Sequence, residues 1–435
     1  MYNQKRMYKK NQWAAVISSI TGCAIGLYPL WNYKFLMVII LGVLSALFII
    51  ILKVKYDYIV ILNIILLPIA LFEPSPADIS FILLLLFGLV NGELKLEKLR
   101  EQFYSIILIA GFLIINLLGM YNMQDHYQGI KYFTITLYLL VFAFFFYIYL
   151  KEERWINIFR AYIVSTVFSA LLGLIGYMGY FSHILMYDKY RMQGLFKDPN
   201  VFGPFLVPSV IILLWDGKAR KIFGDHIILY ILSLGLVIMG IAFSFSRGAW
   251  ANLLVSILTY YILNLKKYPI KKIIIIFLII ILCSYFIWQY AFNEELREFF
   301  ISRSTLQGYD GDRFTSQKVG LSLATKKMFG YGPGQYELLV LKKMGMKLSA
   351  HNLYIRLMLE NGILAFVFLL FFFLYILQKL FQLHLIDDSR GSLFISILIG
   401  ILVNSLVIDT LHWRHFWLFV GLNLSIINEK KDYLI

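Results

Sequence analysis

The sequence predicts an all-α, polytopic membrane helix bundle, on three observations. Apolar runs of roughly 17 to 25 residues, each long enough to cross ~30 Å of hydrocarbon as a helix, recur from end to end. Composition agrees: 60% of the 435 residues are hydrophobic and 15% charged, against about half and about a quarter in an ordinary soluble domain. The charge is also placed as a membrane protein places it. The net +15 comes largely from short Lys/Arg clusters between the apolar runs, where they report topology and a membrane surface, not a nucleic-acid partner.

Taken in order, the apolar windows place spans near 12–30, 34–52, 57–72, 77–91, 103–120, 130–150, 156–180, 200–215, 227–245, 248–265, 272–291, 353–378, 392–409 and 412–428, or about 12 to 14 crossings. The windows at 77–91 and 200–215 are short and read as re-entrant or tilted as readily as spanning. With a cytoplasmic N-terminus, the inner connections are "KRMYKK", "KVK" (53–55), "LKLEKLR" (94–100), "KEER" (151–154), "DGKARK" (216–221), "LKKYPIKK" (265–272) and the tail "NEKKDY" (428–433). Most short basic loops thus fall inside, as the positive-inside rule requires, and both termini are cytoplasmic. Outside lie "EPSP" (73–76), "YNMQDHYQG" (121–129), 181–199, "SRG" (246–248), 292–350 and "TLHWRH" (410–415).

The chain accordingly divides into N-terminal transmembrane helices (1–180), a transmembrane core with arginine-bearing outer loops (181–291), a long extracytoplasmic loop (292–350) and C-terminal transmembrane helices (351–435). The long loop exceeds a simple connector. It opens acidic with "NEELREFF" and continues through "SQKVGLSLATKKM", whose apolar residues recur at roughly helical spacing, to the Gly/Pro turn "FGYGPGQY". Its last part, "LLVLKKMGMKLSAHN", is expected to lie on the membrane surface as an amphipathic helix.

Several features carry no catalytic signal. Cys23 and Cys283 both sit in apolar segments, which offers neither a disulfide framework nor a Cys-rich metal site. "KRMYKK" followed by "ITGCA" resembles a lipoprotein processing site at Cys23; an uncleaved first membrane helix explains the same residues. His126, His183, His226 and His384 lack metal-ligand spacing and are expected at the membrane interface, as is the aromatic-basic run "LHWRHFW" (411–417). "YGPGQY" lacks the sequel of a nucleotide-binding glycine loop, and no HExxH, CxxC or paired-aspartate motif is present, so neither a metal nor a cofactor is expected.

Four basic residues stand at the outer mouths of spans: Arg191 in "YRMQGLFKDPNVFG", Arg247 in "SFSRGAW", Arg313 in "DGDRF" and His351 in "AHNLY". A guanidinium is permanently charged and offers paired planar donors, so several converging at a membrane surface suit a phosphate or diphosphate. Each alone is also suited to snorkel toward lipid headgroups. Arg247 is less ambiguous, being wedged between two apolar runs with only "SRG" as loop. Near Arg191, Asp198-Pro199-Asn200 is set to start a helix, and a helix N-terminus beside an arginine favours an anion. Asn352, Arg356 and Glu360 follow at spacings of four and share one stripe, readable as a capped helix with an internal ion pair or as part of a site. In the second reading His351, neutral near pH 7, accepts a proton from a sugar hydroxyl, and Glu360 orients a partner.

"RMQGLFKDPNVFG", "SRGAW", Arg313 followed by "FGYGPGQY", and "HNLYIRLMLENG", in this order between hydrophobic spans, resemble the O-antigen ligase and polymerase superfamily of bacterial surface polysaccharide assembly over about residues 185–365. The resemblance implies a GT-C-like, metal-independent, inverting glycosyltransferase of the inner membrane. Its donor and acceptor would be oligosaccharides, the donor carried on undecaprenyl pyrophosphate, with the reaction at the outer face. It assigns Arg191 and Arg247 to the lipid pyrophosphate, Arg313 to the loop near the donor, and His351 to activation of the acceptor. Asn352, Glu360 and Gly362 complete its "HN...E.G" pattern, and Asn200 and Arg356 fall among the matched segments.

Members of that superfamily differ in acceptor: lipid A core for ligases, a second carrier-linked repeat unit for polymerases. The Lys/Ile/Tyr/Phe-rich composition is associated with AT-rich genomes and hosts without lipid A. The expectation is therefore a repeat-unit polymerase for a capsule, exopolysaccharide or O-antigen, partnered by membrane lipids and a chain-length regulator. The alternatives are an O-antigen ligase and, from a different class, a polysaccharide flippase. Transporters gather their ionisable sites near the bilayer midplane, whereas the basic residues here gather at span ends.

Overall fold

The computed structural model describes residues 55–90, 92–151, 154–266, 294–305, 308–386 and 388–429. The chain divides into two compact units, Met1–Ile59 and Val60–Ile435. The expected spans at 12–30, 34–52 and 272–291, the basic clusters at the N-terminus and at 267–272, both cysteines and the end of the C-terminal tail lie outside the described residues. The lipidation motif at Cys23 lies outside them too.

All regular structure among the described residues is helical. In order, α1 is Tyr56–Ile65, α2 Pro76–Val90, α3 Phe103–Met120, α4 His126–Tyr149, α5 Trp155–Tyr177, α6 Ser182–Leu185, α7 Pro199–Ala219, α8 Ile227–Phe243, α9 Arg247–Leu263, α10 Glu294–Ser304, α11 Gly308–Ala324, α12 Tyr336–Met344, α13 Leu353–Glu360, α14 Ile363–Leu385, α15 Ser389–Asn404 and α16 Arg414–Glu429. Among the described residues five helices are long and apolar enough to cross a membrane: Leu96–Met120, counting the 3-10 turn before α3, together with α4, α5, α7 and α14. The window at 200–215 therefore becomes one of the long helices, while those at 57–72 and 77–91 become the shorter α1 and α2.

Local chemistry sets the helix ends. The Asp198 carboxylate accepts the Asn200 N–H at 2.8 Å with Pro199 in the first turn, which starts α7 as a capped helix. Ser246 and Asn352 cap α9 and α13 in the same way. The helices then pack through small residues. Gly421 of α16 lies so close to α4 that a Cβ would stand 2.3 Å from the Ala143 carbonyl, and Gly400 of α15 faces Asn252 and Ser256 of α9. In hydrocarbon, where burial of apolar surface gives no bias toward association, such close backbone approach is a main source of cohesion.

Tertiary contacts sort the connections into two ends. At one end the Ala70 N–H donates to the Leu195 carbonyl (2.9 Å), Arg414 grips Asp78 (2.6 Å), Gln335 binds the backbone at Asp125 (2.8 Å), Arg247 meets Asp310 (2.7 Å) and Arg356 meets Asp409 (2.7 Å). At the other, Arg154 faces Glu93 (3.6 Å), the Trp155 indole donates to Glu429 (3.0 Å) and Trp215 donates to Ser389 (3.0 Å). Among the described residues, the connections expected outside thus share one end, and the described parts of those expected inside near 93–100, 151–155, 215–221 and 428–429 share the other.

Three expectations are corrected. The single helix at 353–378 is two, broken at Asn361-Gly362. Gly362 adopts φ 90°, and a Cβ there would stand 2.4 Å from the Met328 carbonyl, so the Gly/Pro loop packs directly against the break. The amphipathic segment at the end of the long loop is helical only over α12. Its Tyr336, Leu339 and Val340 are buried with Leu323, Ala324, Ala350 and Leu359, so that face packs within the protein rather than on lipid. The run 411–417 is also internal: Leu411, Trp413, His415, Phe416 and Trp417 are buried, and the Trp417 indole donates to the Leu411 carbonyl (2.6 Å). His126, His183 and His226 are exposed.

Candidate functional site

The end that gathers the connections expected outside contains a cavity of about 360 Å³. Its charged lining is Arg247, Arg303, Arg313 and Asp310, and His351, Asn200, Gln317 and Asn404 add polar groups; Leu406, Val407 and Ile408 supply an apolar side. Three guanidiniums therefore face one carboxylate, an excess of positive charge in a partly enclosed space.

The start of α9 brings Arg247 there. Its Nη2 donates to both oxygens of Asp310 (2.7 and 2.9 Å) and its Nη1 to the Thr305 carbonyl (3.1 Å). Arg313, one turn beyond Asp310 on α11, stands 3.8 Å from the same carboxylate. Arg303, near the end of α10, turns its Nε and Nη2 toward the Phe245 carbonyl, just ahead of the α9 cap. The N-terminal ends of α7 and α9 contribute Asn200, Ser246, Arg247 and Gly248 to the lining, and α13 begins beside His351. Helix N-termini carry partial positive charge and unpaired N–H groups, so the field of the cavity favours an anion.

His351 immediately precedes the α13 cap. The cap residue Asn352 donates its Nδ2 to the Leu406 carbonyl (3.0 Å), and the Leu353 N–H donates to the Ser405 carbonyl (2.9 Å), which ties this mouth to the end of α15. His351 has φ 43°, in the left-handed region. Burial, and then the positive charge of Arg313, hold its imidazole below the ordinary histidine range, so it is neutral and able to accept a proton at pH 7.

Arg191 does not line the cavity but stands directly behind it. Its Nε donates to the Ser244 carbonyl (3.1 Å), its Nη2 donates to Asn200 Oδ1 (3.2 Å), and it stacks on Tyr187 at 5.2 Å. Burial, and then the charge of Arg303, oppose its ionised form, so the cationic crowding extends through the wall.

The stripe of Asn352, Arg356 and Glu360 is likewise set apart from the cavity. Asn352 caps α13, its Oδ1 accepting the Ile355 N–H at 3.1 Å. Arg356 is buried between Asp409 (2.7 Å) and Glu360 (3.2 Å) and stacks on Tyr132 at 4.8 Å. Glu360 accepts the N–H groups of Gly334 (2.8 Å) and Tyr336 (2.9 Å), while the Tyr331 and Gly332 N–H groups donate to the Leu359 and Glu360 carbonyls. These two side chains clamp the Gly/Pro loop and the 409 turn onto the helix that follows His351.

Sequence reasoning missed Arg303, Asp310, Gln317, Asn404 and Asp409. Asp310 carried a usable signal, since three residues before Arg313 on a helix is the same face. Asn404 carried another, as an amide inside an otherwise apolar run. Arg303, in "ISRS", is marked by neither position nor pattern.

Comparison with curated proteins gives no match. A family model described as O-antigen ligase matches residues 229–370, the stretch that holds Arg247, Arg303, Asp310, Arg313, Gln317, His351 and the α13 clamp. This match, together with the ordered motifs around it, supports the O-antigen ligase and polymerase superfamily for this chain.

Proposed function

We propose that the chain is a polymerase of undecaprenyl-pyrophosphate-linked oligosaccharide repeat units, working at the outer face of the cytoplasmic membrane. The observation that carries this reading is the single cavity in which Arg247, Arg303 and Arg313 meet His351. A lipid diphosphate sugar is negatively charged on both phosphates, and a further charge develops as its anomeric bond breaks. Guanidiniums and helix N-termini already in place stabilise that developing charge without reorganising.

In this mechanism the acceptor hydroxyl gives its proton to His351, its oxygen attacks the anomeric carbon from the face opposite the diphosphate, and the carrier diphosphate leaves with the bonding electron pair. Inversion at the sugar follows from one displacement. Arg247, Arg303 and Arg313 hold the leaving group. Arg191 positions Asn200 and the turn before α9, while Arg356, Glu360 and Asn352 position His351 and the covering loop. The apolar side at Leu406, Val407 and Ile408 is suited to the first isoprene units. No step is assigned to a metal.

A ligase reading, with lipid A core as acceptor, draws on the description of the matching family model. Purified protein in nanodiscs with carrier-linked repeat units separates the two. Ladders of stepwise products support the polymerase, and transfer confined to an added lipid A core overturns it in favour of the ligase. Carrier-linked repeats that stay unconsumed with either acceptor overturn both. Arg247→Ala should lower kcat by about 10²- to 10³-fold, the usual loss for a removed charge-stabilising donor.

A further inference from the structure

Asn404, the last residue of α15, is fully buried on the cavity wall, and among the described residues neither its Oδ1 nor its Nδ2 has a hydrogen-bond partner. The other two carboxamides of the lining are each engaged with the protein: Gln317 donates its Nε2 to the Ala350 carbonyl (3.0 Å), and Asn200 accepts from Arg191 (3.2 Å). A buried amide with both ends unmet is costly; Asn116 and Asn423 are unmet in the same way, but of these three only Asn404 lines the cavity, where a ligand can satisfy it. The amide packs on Gly248, where a Cβ would stand 2.7 Å from Asn404 Oδ1. Gly248 adjoins Arg247 in the first turn of α9, so the free amide lies beside the cationic wall while carrying no charge itself.

A carboxamide presents a donor and an acceptor side by side. A phosphate would use only the N–H and would meet repulsion from the carbonyl oxygen, whereas a pair of sugar hydroxyls, or an acetamido group, uses both. We propose that Asn404 is a specificity-determining residue that hydrogen-bonds the sugar attached to the diphosphate, dividing the cavity into a guanidinium part for the diphosphate and an amide part for the first sugar. This rests on the glycosyl-transfer reading given above. Asn252, one of the polar residues where α9 packs on α15, also has an unpaired Nδ2 but does not line the cavity, and it serves as the control for a role in helix packing alone.

The test uses the full chain in nanodiscs. It measures kcat and KM with a carrier-linked repeat unit, and the inhibition constant of sugar-free undecaprenyl pyrophosphate, for wild type, Asn404→Ala, Asn404→Ser and Asn252→Ala. Asn404→Ala should lower kcat/KM by about 10- to 100-fold, the size expected for one lost neutral hydrogen bond to a sugar group, with the inhibition constant unchanged within about threefold. Asn404→Ser, which keeps a donor and acceptor, should fall between. Unchanged kcat/KM in both Asn404 variants overturns the assignment, as does an equal weakening of sugar-free inhibitor binding. An equal loss in Asn252→Ala shows that helix packing is responsible and also overturns it. If wild type itself does not turn over the carrier-linked donor, it is the functional reading that fails, and Asn404 falls with it.

Discussion

Replacing Glu360 by glutamine separates a positioning role from a chemical one. The carboxylate is buried, accepts two backbone N–H groups from the Gly/Pro loop at 2.8 and 2.9 Å, and faces Arg356 at 3.2 Å. Glutamine keeps one acceptor but turns an NH2 toward the second donor, so one charge-assisted bond is lost and one N–H is left opposed. Each such loss in a buried site costs about 1.5 to 3 kcal/mol. Arg356 retains Asp409 at 2.7 Å, which keeps its guanidinium from being wholly uncompensated and holds the total to about 2 to 4 kcal/mol. For a chain this long, where each kcal/mol moves the midpoint by about 1 to 2 °C, Tm should fall by roughly 2 to 8 °C. The assay is unfolding in detergent followed by tryptophan fluorescence, with limited proteolysis of the loop at 330–336 and kcat measured on the same preparation. Faster loop cleavage, a lowered Tm and a kcat loss that shrinks on cooling are expected. Wild-type Tm and cleavage with a thousandfold lower kcat would instead place Glu360 at the reacting atoms and refute the positioning argument.

Further outcomes follow from the cavity. The acid limb of the kcat/KM profile should lie below pH 6.5, because burial and Arg313 disfavour the imidazolium of His351; Arg313→Gln should move the limb upward toward 6.5 but not past it, since burial, the larger cause, remains. The stability sign agrees: with the folded pKa depressed, the unfolded state binds more protons, so this group's contribution is lost as pH falls from 6.5 through the folded pKa. Asp310→Asn removes the carboxylate held by Arg247 and should tighten inorganic pyrophosphate binding about 3- to 10-fold by calorimetry; weaker binding would show that Asp310 orients Arg247 rather than competing with the ligand. Gly362→Ala combines φ 90° with a 2.4 Å approach to the Met328 carbonyl and should lose about 1 to 3 kcal/mol or more, read as a lower Tm with faster cleavage near 330.

The helices were legible where the cause was local. The run 103–120 was readable because its apolar length is bounded by polar residues on both sides, and the start of α7 because Asp198-Pro199-Asn200 is itself the cap. Arg191, Arg247, Arg313 and His351 were legible as charges at span mouths, and the structure brings the last three to one cavity with Arg191 one layer behind. The break at Gly362 was not, since it depends on the loop at 328–330 packing across it. Nor were the partners Asp310 and Asp409, which lie 63 and 53 residues from the arginines they hold. An apolar pattern reports how deep a residue sits in the bundle and is silent on which distant loop will meet it.

The backbone at His351 bears on how its chemistry can be tested. A left-handed φ of 43° is tolerated by asparagine and glycine but disfavoured for alanine by about 1 to 2 kcal/mol. An alanine knock-out would therefore confuse loss of the proton acceptor with relaxation of the kink that aims it. Asparagine removes the basicity while keeping the bend, which makes His351→Asn the cleaner diagnostic variant.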